Sequence, residues 1–392
     1  MDRRQRDFDP DLPEDIDSAH QDYERLRREC PVAWTDRLGG FWALTRYDDV
    51  KEAAADFRRF TTTVQNVVPK VAFTGRRPPL HLDPPEHTPY RKALNPLLSR
   101  ERCDALEPKA REIARKLLQP MIAAGGGDVC RQYSSYLPVH VFGEWMRVPC
   151  DWLGTLHDAG RAFILAVHST DQSAMKETSL RLYDMARALI ADRRANPQDP
   201  AEDPTAALLE ARLDGAPLPD ELIVGSVRQI LVVGMVAPMV MVGNIAIHLA
   251  SDKDLQRTLR ADPGLVPAAI EEFLRLHSPY RGFARTATCD MTLGGRSIAK
   301  DEPIALLYAS ANRDESVFPD GAKFILNRPN IDKHLAFGRG PHNCPGLHLG
   351  RMELIVSIDE LLAATSDFDL AGPVVPSRWP EIGPLSVPLK FA

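Results

Sequence analysis

The chain has 392 residues, of which 44% are apolar and 26% are charged, the composition of a globular protein with a sizeable core. A net charge of −6 and the lack of a basic run argue against nucleic-acid binding. The charged stretch 1–10 has no apolar centre and is not a signal peptide, and the apolar run 230–243 is too short to span a bilayer. The six cysteines are irregularly spaced, without metal-binding pairs or a disulfide ladder, so five of them are expected to be small core residues. We therefore expect a soluble cytoplasmic protein.

Hydrophobic periodicity and capping signals divide the chain into many helices and a few short strands. The first helix is amphipathic, with Asp17 or Ser18 as its N-cap. The predicted helices are 17–30, 47–57, 102–123, 133–146, 152–167, 175–196, 219–251, 265–276 and 347–364. The predicted strands are 32–35, 41–45, 281–286, 291–298 and 304–308. A Pro-rich loop covers 61–85, and the breaks at 125–127 and 196–204 are too short to be domain linkers, so one domain of residues 1–392 is expected.

The most distinctive stretch is the loop 337–346, which reads Phe-Gly-Arg-Gly-Pro-His-Asn-Cys-Pro-Gly. It matches the pattern F-G-x-G-x-H-x-C-x-G, a match expected by chance on the order of once per hundred million start positions. The matching residues are Phe337, Gly338, Gly340, His342, Cys344 and Gly346. The loop resembles the cysteine-ligand loop of the cytochrome P-450 superfamily, in which Cys344 would be the axial ligand of a haem iron. The alternative, a buried structural cysteine in a glycine-rich turn, leaves the other matched positions unexplained.

The chemistry of such a loop accounts for its residue types. A cysteine thiolate ligates iron and supplies the electron density that favours O–O cleavage. Gly338, Gly340 and Gly346 have no Cβ, so the backbone can turn tightly and lie close to a porphyrin. The helix 347–364 begins beside Cys344, where its dipole would stabilise a thiolate. The resemblance implies haem b (iron protoporphyrin IX) as the cofactor.

The resemblance also covers residues that would bind the haem propionates. The stretch 83–91 resembles the family's entry to its third helix, where a His and an Arg four residues later reach a propionate. His87 and Arg91 match this pattern, since positions i and i+4 share a helix face. Arg285 matches the family's propionate-binding Arg, and His342 is expected to join them through charge-assisted hydrogen bonds. A surface His–Arg pair is the alternative for the first two.

A second motif lies in the predicted helix 265–276, where Glu272 and Arg275 are three residues apart and share one face. E-x-x-R alone is a weak signal, but here Phe324 and Arg328 follow at the family's spacing. The resemblance implies a buried ion network of Glu272, Arg275 and Arg328 that holds the cysteine loop. Removing one partner would leave a buried unpaired charge.

The long apolar helix departs from the family's pattern. Members that activate dioxygen usually carry an acid and a Thr side by side in this helix, which crosses over the haem. Aligned on Val233 and Gly234, this chain has Val236 and Ala237 instead, followed by Pro238. Because Pro238 has no N–H, the carbonyl of Gly234 loses its helical partner. We hypothesise that ordered water held there takes over the role of the hydroxyl, and a merely tolerated kink is the alternative.

An apolar substrate pocket is expected beside the iron. Because side chains alternate along a strand, Arg281 and Phe283 should share the face of Arg285. Arg281 would then bind a propionate or anchor a substrate carboxylate. Plain core packing is the alternative for the apolar candidates. The pocket candidates are Val71, Phe73, Val233, Met235, Arg281 and Phe283.

These features predict a mainly α protein with small β-sheets (α+β) and the cytochrome P-450 fold. The resemblance implies a haem-thiolate monooxygenase that hydroxylates or oxidatively demethylates a small hydrophobic organic substrate with dioxygen. No flavin, iron–sulfur or nicotinamide module is recognisable, so a ferredoxin and an NAD(P)H-dependent reductase are the expected electron donors. The stretch 73–91 also resembles haem domains that are fused to a reductase.

Two other functions stay open at this point. Because the acid–Thr pair is absent, the enzyme could use peroxide or couple substrates oxidatively. A non-enzymatic haem sensor is the third possibility, against which the apolar pocket and the thiolate ligand argue.

Overall fold

The computed structural model describes residues 5–11, 15–70 and 74–392. The α-helices in chain order are α1 Ile16–Glu29, α2 Tyr47–Ala55, α3 Thr88–Leu94, α4 Arg100–Ala123, α5 Leu137–Met146, α6 Leu153–Ser169, α7 Gln172–Ala195, α8 Pro204–Glu210, α9 Asp220–Ser251, α10 Lys253–Ala261, α11 Val266–Leu276, α12 Tyr308–Ala311 and α13 Leu347–Ala364. The strands are β1 Val32–Thr35, β2 Phe41–Leu44, β3 Phe60–Thr61, β4 Gly126–Asp128, β5 Arg212–Leu213, β6 Ala216–Pro217, β7 Ala284–Ala287, β8 Met291–Leu293, β9 Arg296–Ile298, β10 Pro303–Leu306, β11 Phe368–Leu370, β12 Val375–Pro376, β13 Pro384–Ser386 and β14 Pro388–Phe391. The predicted mainly α architecture with small sheets is confirmed.

The largest sheet has the strand order β1-β2-β10-β7-β3. The two predicted strands β1 and β2 pair as a hairpin, with Trp34 opposite Trp42. β10 pairs in parallel with β2 and antiparallel with β7, so that Ile304 lies between Trp42 and Arg285. Every residue of β7 is buried, and the sheet therefore holds Arg285 in the interior.

A second sheet, with the order β11-β14-β4, joins the end of the chain to the glycines at 126 and 127. The sequence analysis expected only a break at 125–127, which is wrong. Gly126 has a φ of 149°, and a Cβ there would lie 2.3 Å from the carbonyl oxygen of Leu389. Glycine is thus required because the backbone of β14 passes directly over this position.

Helix α9 runs through the core and packs against α5, α6, α7 and α13. It is apolar on nearly every face, as expected for a helix surrounded by protein. By length and composition it could cross a membrane, but 78% of its most apolar window is buried among the other described elements. Pro238 lies inside the helix and does not end it. The continuous α9 forms one wall of the region where the predicted site residues meet.

Two smaller predictions are corrected. Asp15, not Asp17 or Ser18, caps α1, because its carboxylate accepts a hydrogen bond from the Ser18 N–H at 2.7 Å. Not all five remaining cysteines fill the core, since Cys150 and Cys289 are exposed. Neither difference affects the position of the site.

Candidate active site

The cysteine loop is a tight turn held by its own backbone. The N–H of Cys344 donates to the carbonyl of Phe337 at 2.8 Å, and the side-chain amide of Asn343 donates to the carbonyls of Phe337 and Gly338. Gly338 and Gly340 have φ values of 70° and 71°, where L side chains are strained. α13 begins three residues after Cys344, so its positive dipole end lies beside the sulfur. The loop is thus shaped to present one sulfur atom.

The glycines of this loop approach different neighbours. A Cβ at Gly340 would lie 2.6 Å from the Cα of Ala55, so the loop packs directly on α2 there. A Cβ at Gly346 would instead lie 4.0 Å from the Cys344 sulfur. The need for glycine at 340 therefore includes close packing on a helix, which the sequence analysis did not foresee.

Burial disfavours ionisation of the Cys344 thiol. It raises the pKa of this thiol, against the opposing effects of the Gly346 N–H and the guanidinium groups of Arg91 and Arg351. A metal ion bound to a thiol removes its proton outright. Ligation of a metal would therefore supply the thiolate that burial disfavours here.

Helix α3 is attached to the cysteine loop through the two residues singled out by the sequence. The Nε2 atom of His87 lies 3.3 Å from the carbonyl oxygen of Pro341. The Nη1 atom of Arg91 donates to the carbonyl of Asn343 at 2.8 Å. Burial lowers the pKa of His87, so the ring is neutral near pH 7. The structure thus brings both residues to the edge of the loop.

His342 has a carboxylate partner that the sequence analysis missed. Its Nε2 atom lies 3.0 Å from Oδ1 of Asp83, which also accepts from the Thr62 hydroxyl at 3.1 Å. Burial lowers the pKa of His342 despite the nearby carboxylate. The ring centroids of His342 and His87 are 5.3 Å apart. No local pattern shows that residues 62, 83 and 342 meet, because only the folded loop 61–85 brings them together.

Arg285 is a buried cation whose hydrogen-bonding capacity is only partly used. Its Nη1 atom donates to the carbonyl of Ala284 at 3.0 Å, and its Nε atom is buried without an acceptor among the described residues. Burial lowers its pKa, against the opposing effect of the Tyr308 phenol. A buried guanidinium with an unused N–H is a site that an anion completes.

Glu272, Arg275 and Arg328 form one buried ion network, here called the glutamate network. Nη2 of Arg275 donates to Oε1 of Glu272 at 2.7 Å, and Nε of Arg328 donates to the same oxygen at 3.0 Å. Nη1 of Arg275 also donates to the carbonyls of Asn312 and Gly321. The network ties α11 to the segment that leads into the cysteine loop, and each charge has a partner of opposite sign.

Tyr280 connects α9 with the cysteine loop, and the sequence analysis missed it. The residue packs against Val236 and Val240 of α9. Burial, followed by the charges of Glu381 and Cys344, raises the pKa of its phenol well above the usual value. Val233, on the neighbouring turn of α9, is 45% exposed although most of this helix is buried. Tyr280 therefore lies close to both α9 and Cys344, and Val233 is an apolar side chain of α9 that the protein leaves uncovered.

The residues predicted along α9 point in different directions. A Cβ at Gly234 would lie 2.6 Å from the ring of Phe142, so close packing of α5 requires glycine here. The methyl group of Met235 lies against Gly160 of α6, and its place in the pocket stays a prediction. Val236 is buried, while Ala237 is partly exposed. Neither of these two side chains can carry a proton, and the amide nitrogen of Pro238 cannot donate to the Gly234 carbonyl.

The strand that carries Arg285 begins only at Ala284, so the predicted alternation does not reach Arg281. The Nε atom of Arg281 donates to the carbonyl of Glu381 at 2.8 Å, and its Nη1 atom lies 3.4 Å from the Tyr23 hydroxyl. The expectation that Arg281 points toward the haem edge or the substrate is therefore wrong. Its guanidinium is used to attach the C-terminal segment.

Phe283 lies beside Tyr280. Its ring centroid is 4.5 Å from that of Tyr280, and its backbone forms a bridge with Val67. The two remaining pocket candidates, Val71 and Phe73, lie outside the described residues.

The profile of the family described as Cytochrome P450 matches residues 158–366. Cytochrome P450 107B1 of Saccharopolyspora erythraea is 32% identical over 377 residues, which cover 92% of this chain and 91% of that protein. The chain belongs to the cytochrome P450 family. Linalool 8-monooxygenase of Pseudomonas putida is 30% identical over 369 residues, 90% of either chain. The structure of Mycobacterium marinum cytochrome P450 CYP268A2 in complex with pseudoionone superposes with a TM-score of 0.88 over 100% of both chains at 26% identity.

This P450 is thus an oxidoreductase, a haem-thiolate monooxygenase whose cofactor is haem b. The observed groups fit that cofactor: a buried thiol whose pKa is raised by burial, and a buried guanidinium with an N–H left for an anion. Within residues 5–11, 15–70 and 74–392, no group of three His, Cys, Asp or Glu could hold a metal by itself. Iron carried in a porphyrin needs only one such ligand from the protein.

Proposed function

We propose that this P450 hydroxylates or oxidatively demethylates a small hydrophobic organic substrate, using dioxygen and electrons from a separate ferredoxin and its NAD(P)H-dependent reductase. We further propose that residues 1–392 work as one haem domain in the cytoplasm. The observation that supports this proposal is the group of apolar side chains on the Cys344 side of α9: Val233 is 45% exposed, and the rings of Tyr280 and Phe283 are 4.5 Å apart.

The proposed roles follow from the contacts. Cys344 ligates the iron, with Phe337, Gly338 and Gly346 shaping its loop. The haem supplies the oxidising chemistry when it is bound. The propionates receive charge-assisted hydrogen bonds from the cationic and imidazole side chains around the loop. Those residues are His87, Arg91, Arg285 and His342.

The first test is the ligand itself. Cys344→Ser replaces the sulfur by an alcohol, and we expect it to abolish the carbon monoxide spectrum of a thiolate-ligated haem in the reduced protein. Cys103→Ser, a buried cysteine outside the loop, is the matched control and should keep that spectrum. A thiolate spectrum in the Cys344→Ser protein would overturn the assignment.

Proton delivery is the step for which the usual side chains are absent. We propose that the Gly234 carbonyl, which receives no hydrogen bond from Pro238, holds a water beside the iron and replaces the missing hydroxyl. Val236 and Ala237 then act only as apolar walls. Pro238→Ala restores the donor to this carbonyl, and we expect a smaller fraction of the consumed dioxygen to appear in product. Unchanged coupling would leave Pro238 as a tolerated residue of the helix.

The same absence favours a second candidate, a haem-thiolate enzyme that uses hydrogen peroxide or couples substrates oxidatively. The observation behind it is that Val236 and Ala237 occupy the acid and Thr positions. The two candidates predict opposite preferences between peroxide alone and dioxygen with a reductase and ferredoxin. Ala237→Thr should raise turnover with dioxygen under the first candidate, and Val233→Thr, a hydroxyl placed one turn earlier, is its control.

The proposed ferredoxin would dock near the cysteine loop, where Lys333 and Arg339 are exposed. Arg351, another cation near this loop, is paired with Glu271 and is not available for docking. Arg339→Glu should raise the KM for ferredoxin and leave peroxide-driven turnover unchanged. The control is Lys176→Glu, an exposed cation on α7. Equal effects of the two variants would contradict docking at this face.

A further inference from the structure

Two buried arginines, here called the arginine pair, lie in the wall built by α9 and the segment 74–81. Arg228 of α9 is fully buried, and Arg77 is 8% exposed. Neither belongs to the residues assigned above to the haem, and neither was noticed in the sequence. A buried guanidinium normally has an anionic partner, because a charge taken out of water without one is strongly unfavourable.

Tight packing holds the segment 74–81 against two helices. A Cβ at Gly225 would lie only 2.0 Å from the carbonyl oxygen of Arg76, so the backbone of the segment lies directly on α9. The hydroxyls of Thr74 and Ser179 are 2.8 Å apart, which attaches the segment to α7. Gly225 is three residues before Arg228, so the contact also brings Arg77 toward that side chain.

The hydrogen bonds of the pair leave N–H groups unused. Nη2 of Arg228 donates to the Ser179 hydroxyl at 2.9 Å, and its guanidinium lies 4.5 Å from the ring centroid of Phe163. Nη2 of Arg77 lies 3.5 Å from Nε2 of His81. The Nε atoms of both arginines are buried without an acceptor in the described part of the chain. The side-chain amide nitrogen of Gln65 is also buried without an acceptor among the described residues.

No carboxylate compensates these charges among residues 5–11, 15–70 and 74–392, since no ion pair there includes either arginine. Burial lowers the pKa of Arg228 well below its usual value, and the charge of Arg77 lowers it further. Burial and the same cations lower the pKa of His81 to about 3, so this ring is neutral and is no counter-ion. Lys70 and Arg76 add positive charge around it. The charged side chains around the pair are thus cations, while the Tyr183 phenol acts against the lowering of both arginine pKa values.

Other buried arginines show what is missing here. Nε of Arg193 donates to the Asp203 carboxylate at 2.6 Å, and Arg275 and Arg328 share Glu272. Arg285, which is also without a carboxylate, is accounted for by a haem propionate under the proposed function. Like Arg285, the arginines of the pair are buried, have no carboxylate partner and keep an unused Nε–H. Unlike Arg285, they are not assigned to a haem propionate.

The position of the pair points to the substrate. Arg77 lines a cavity of about 10 Å³, the space of about one water-sized group, together with Val64, Gln65, Asn66, Val67, Lys70 and His81. One end of this loop meets the cysteine loop, through Thr62 and His342. The other end meets Phe283, through Val67. The cavity therefore lies on the loop that connects the cysteine loop with Phe283.

We propose that Arg77 and Arg228 bind the carboxylate of the substrate, so that this P450 oxidises an amphipathic organic acid. The inference rests on the proposed function and specifies its substrate class. The acidic group is held by the arginine pair, and the apolar remainder extends toward Cys344. The planar guanidinium groups match the geometry of a carboxylate, and Nε of either arginine supplies one of the required donors.

The test uses the haem-loaded protein and pairs of ligands that differ only in charge. Octanoate, dodecanoate and hexadecanoate are compared with their methyl esters by Soret titration and by thermal melting. We expect at least one acid to bind about tenfold or more tightly than its ester, the effect of a charged hydrogen bond. Arg77→Gln and Arg228→Gln should each remove this preference while leaving ester binding unchanged. Arg76→Gln, an exposed neighbour in the same segment, is the matched control and should keep it.

Several outcomes would overturn the inference. The methyl esters could bind as tightly as the acids, or the Arg77→Gln protein could still prefer acids over esters. Finally, no acid could bind in either measurement. Sodium acetate is tested as a further ligand. If acetate alone raises the melting temperature and the longer acids raise it no further, the arginine pair binds free anions and not the carboxylate of a substrate, which would also overturn the inference. A failure of the proposed monooxygenase function would appear separately, as absent turnover in a protein that still prefers acids.

Discussion

The two buried groups of arginines in this P450 make an instructive comparison. In the glutamate network, Arg275 and Arg328 share the carboxylate of Glu272. The Nη1 atoms of both arginines donate to backbone carbonyls instead. In the arginine pair, Arg77 and Arg228 have no described carboxylate and retain unused N–H groups. Both are almost inaccessible to water, so burial alone does not distinguish them.

The difference lies in whether a carboxylate partner is present, and it separates structural from functional roles. In the glutamate network both guanidinium groups share one carboxylate, so the network can hold the cysteine loop without a ligand. An unbalanced pair costs stability until an anion binds, which is a common property of binding sites. Substitutions in the two groups should therefore change stability in opposite directions.

The largest effect is expected in the glutamate network. Glu272→Ala leaves two buried guanidinium groups without a counter-ion, which should lower the free energy of unfolding by about 3–5 kcal/mol. Denaturant unfolding and haem content measure the effect. The comparison is Glu271→Ala, the preceding residue of α11, whose carboxylate is 27% exposed and pairs with His334 and Arg351, so that its loss should cost less, at most about 3 kcal/mol. Equal losses would show that the network is not specially stabilising.

The pH dependence of Glu271 provides the second test. Burial raises its pKa, but the hydrogen bonds and charges of His334 and Arg351 outweigh burial and lower the pKa to about 2 from 4.5. Because the folded value is the lower one, this stabilisation is present above about pH 4.5 and is lost as the pH falls toward 2. The loss should be about 3 kcal/mol at most. Unfolding measured against pH in the wild type and in Glu271→Gln should differ in this window, and parallel curves would contradict the assignment.

Gly225→Ala tests whether the arginine pair depends on close packing. The added Cβ would meet the Arg76 carbonyl oxygen at 2.0 Å, so the segment 74–81 must move away from α9. We expect a loss of about 2 kcal/mol in unfolding free energy and weaker binding of acids. Gly154→Ala is the control, because a Cβ there has no neighbour within 4 Å. If the Gly225→Ala protein binds acids as tightly as the wild type, acid binding does not depend on the contact between Gly225 and the Arg76 carbonyl.

The smallest effect has the opposite sign. Arg228→Met removes a buried charge and keeps an unbranched side chain against the ring of Phe163, so we expect the protein without ligand to be stabilised by about 1 kcal/mol. Thermal melting without dodecanoate measures the gain in stability of the free protein, and melting with dodecanoate measures the loss of stabilisation by the acid. A destabilised protein would indicate that Arg228 is structural, like the arginines of the glutamate network.

Local order in the chain accounts for what could be predicted about the site. The cysteine loop spans ten residues, and His87 with Arg91 or Glu272 with Arg275 are fixed by helix spacing, so a linear pattern contains them. Predictions that needed an element boundary were less secure. Arg281 was placed on the face of Arg285, but the strand begins only at Ala284. Met235 was placed in the pocket although α9 is apolar all round and gives no direction.

The sequence by itself determined the family, the mainly α fold and the cysteine that would ligate the haem iron, because these depend on motifs and periodicities within single segments. Only the tertiary structure decided that Asp83 meets His342 and that Tyr280 lies close to Cys344. It also decided that Arg77 and Arg228 lie close together without a carboxylate partner among the described residues. The physical reason is that charge balance and burial are sums over neighbours from distant segments. Residues 77 and 228 are far apart in the chain, and only the packing of their backbones at Gly225 brings their charges together.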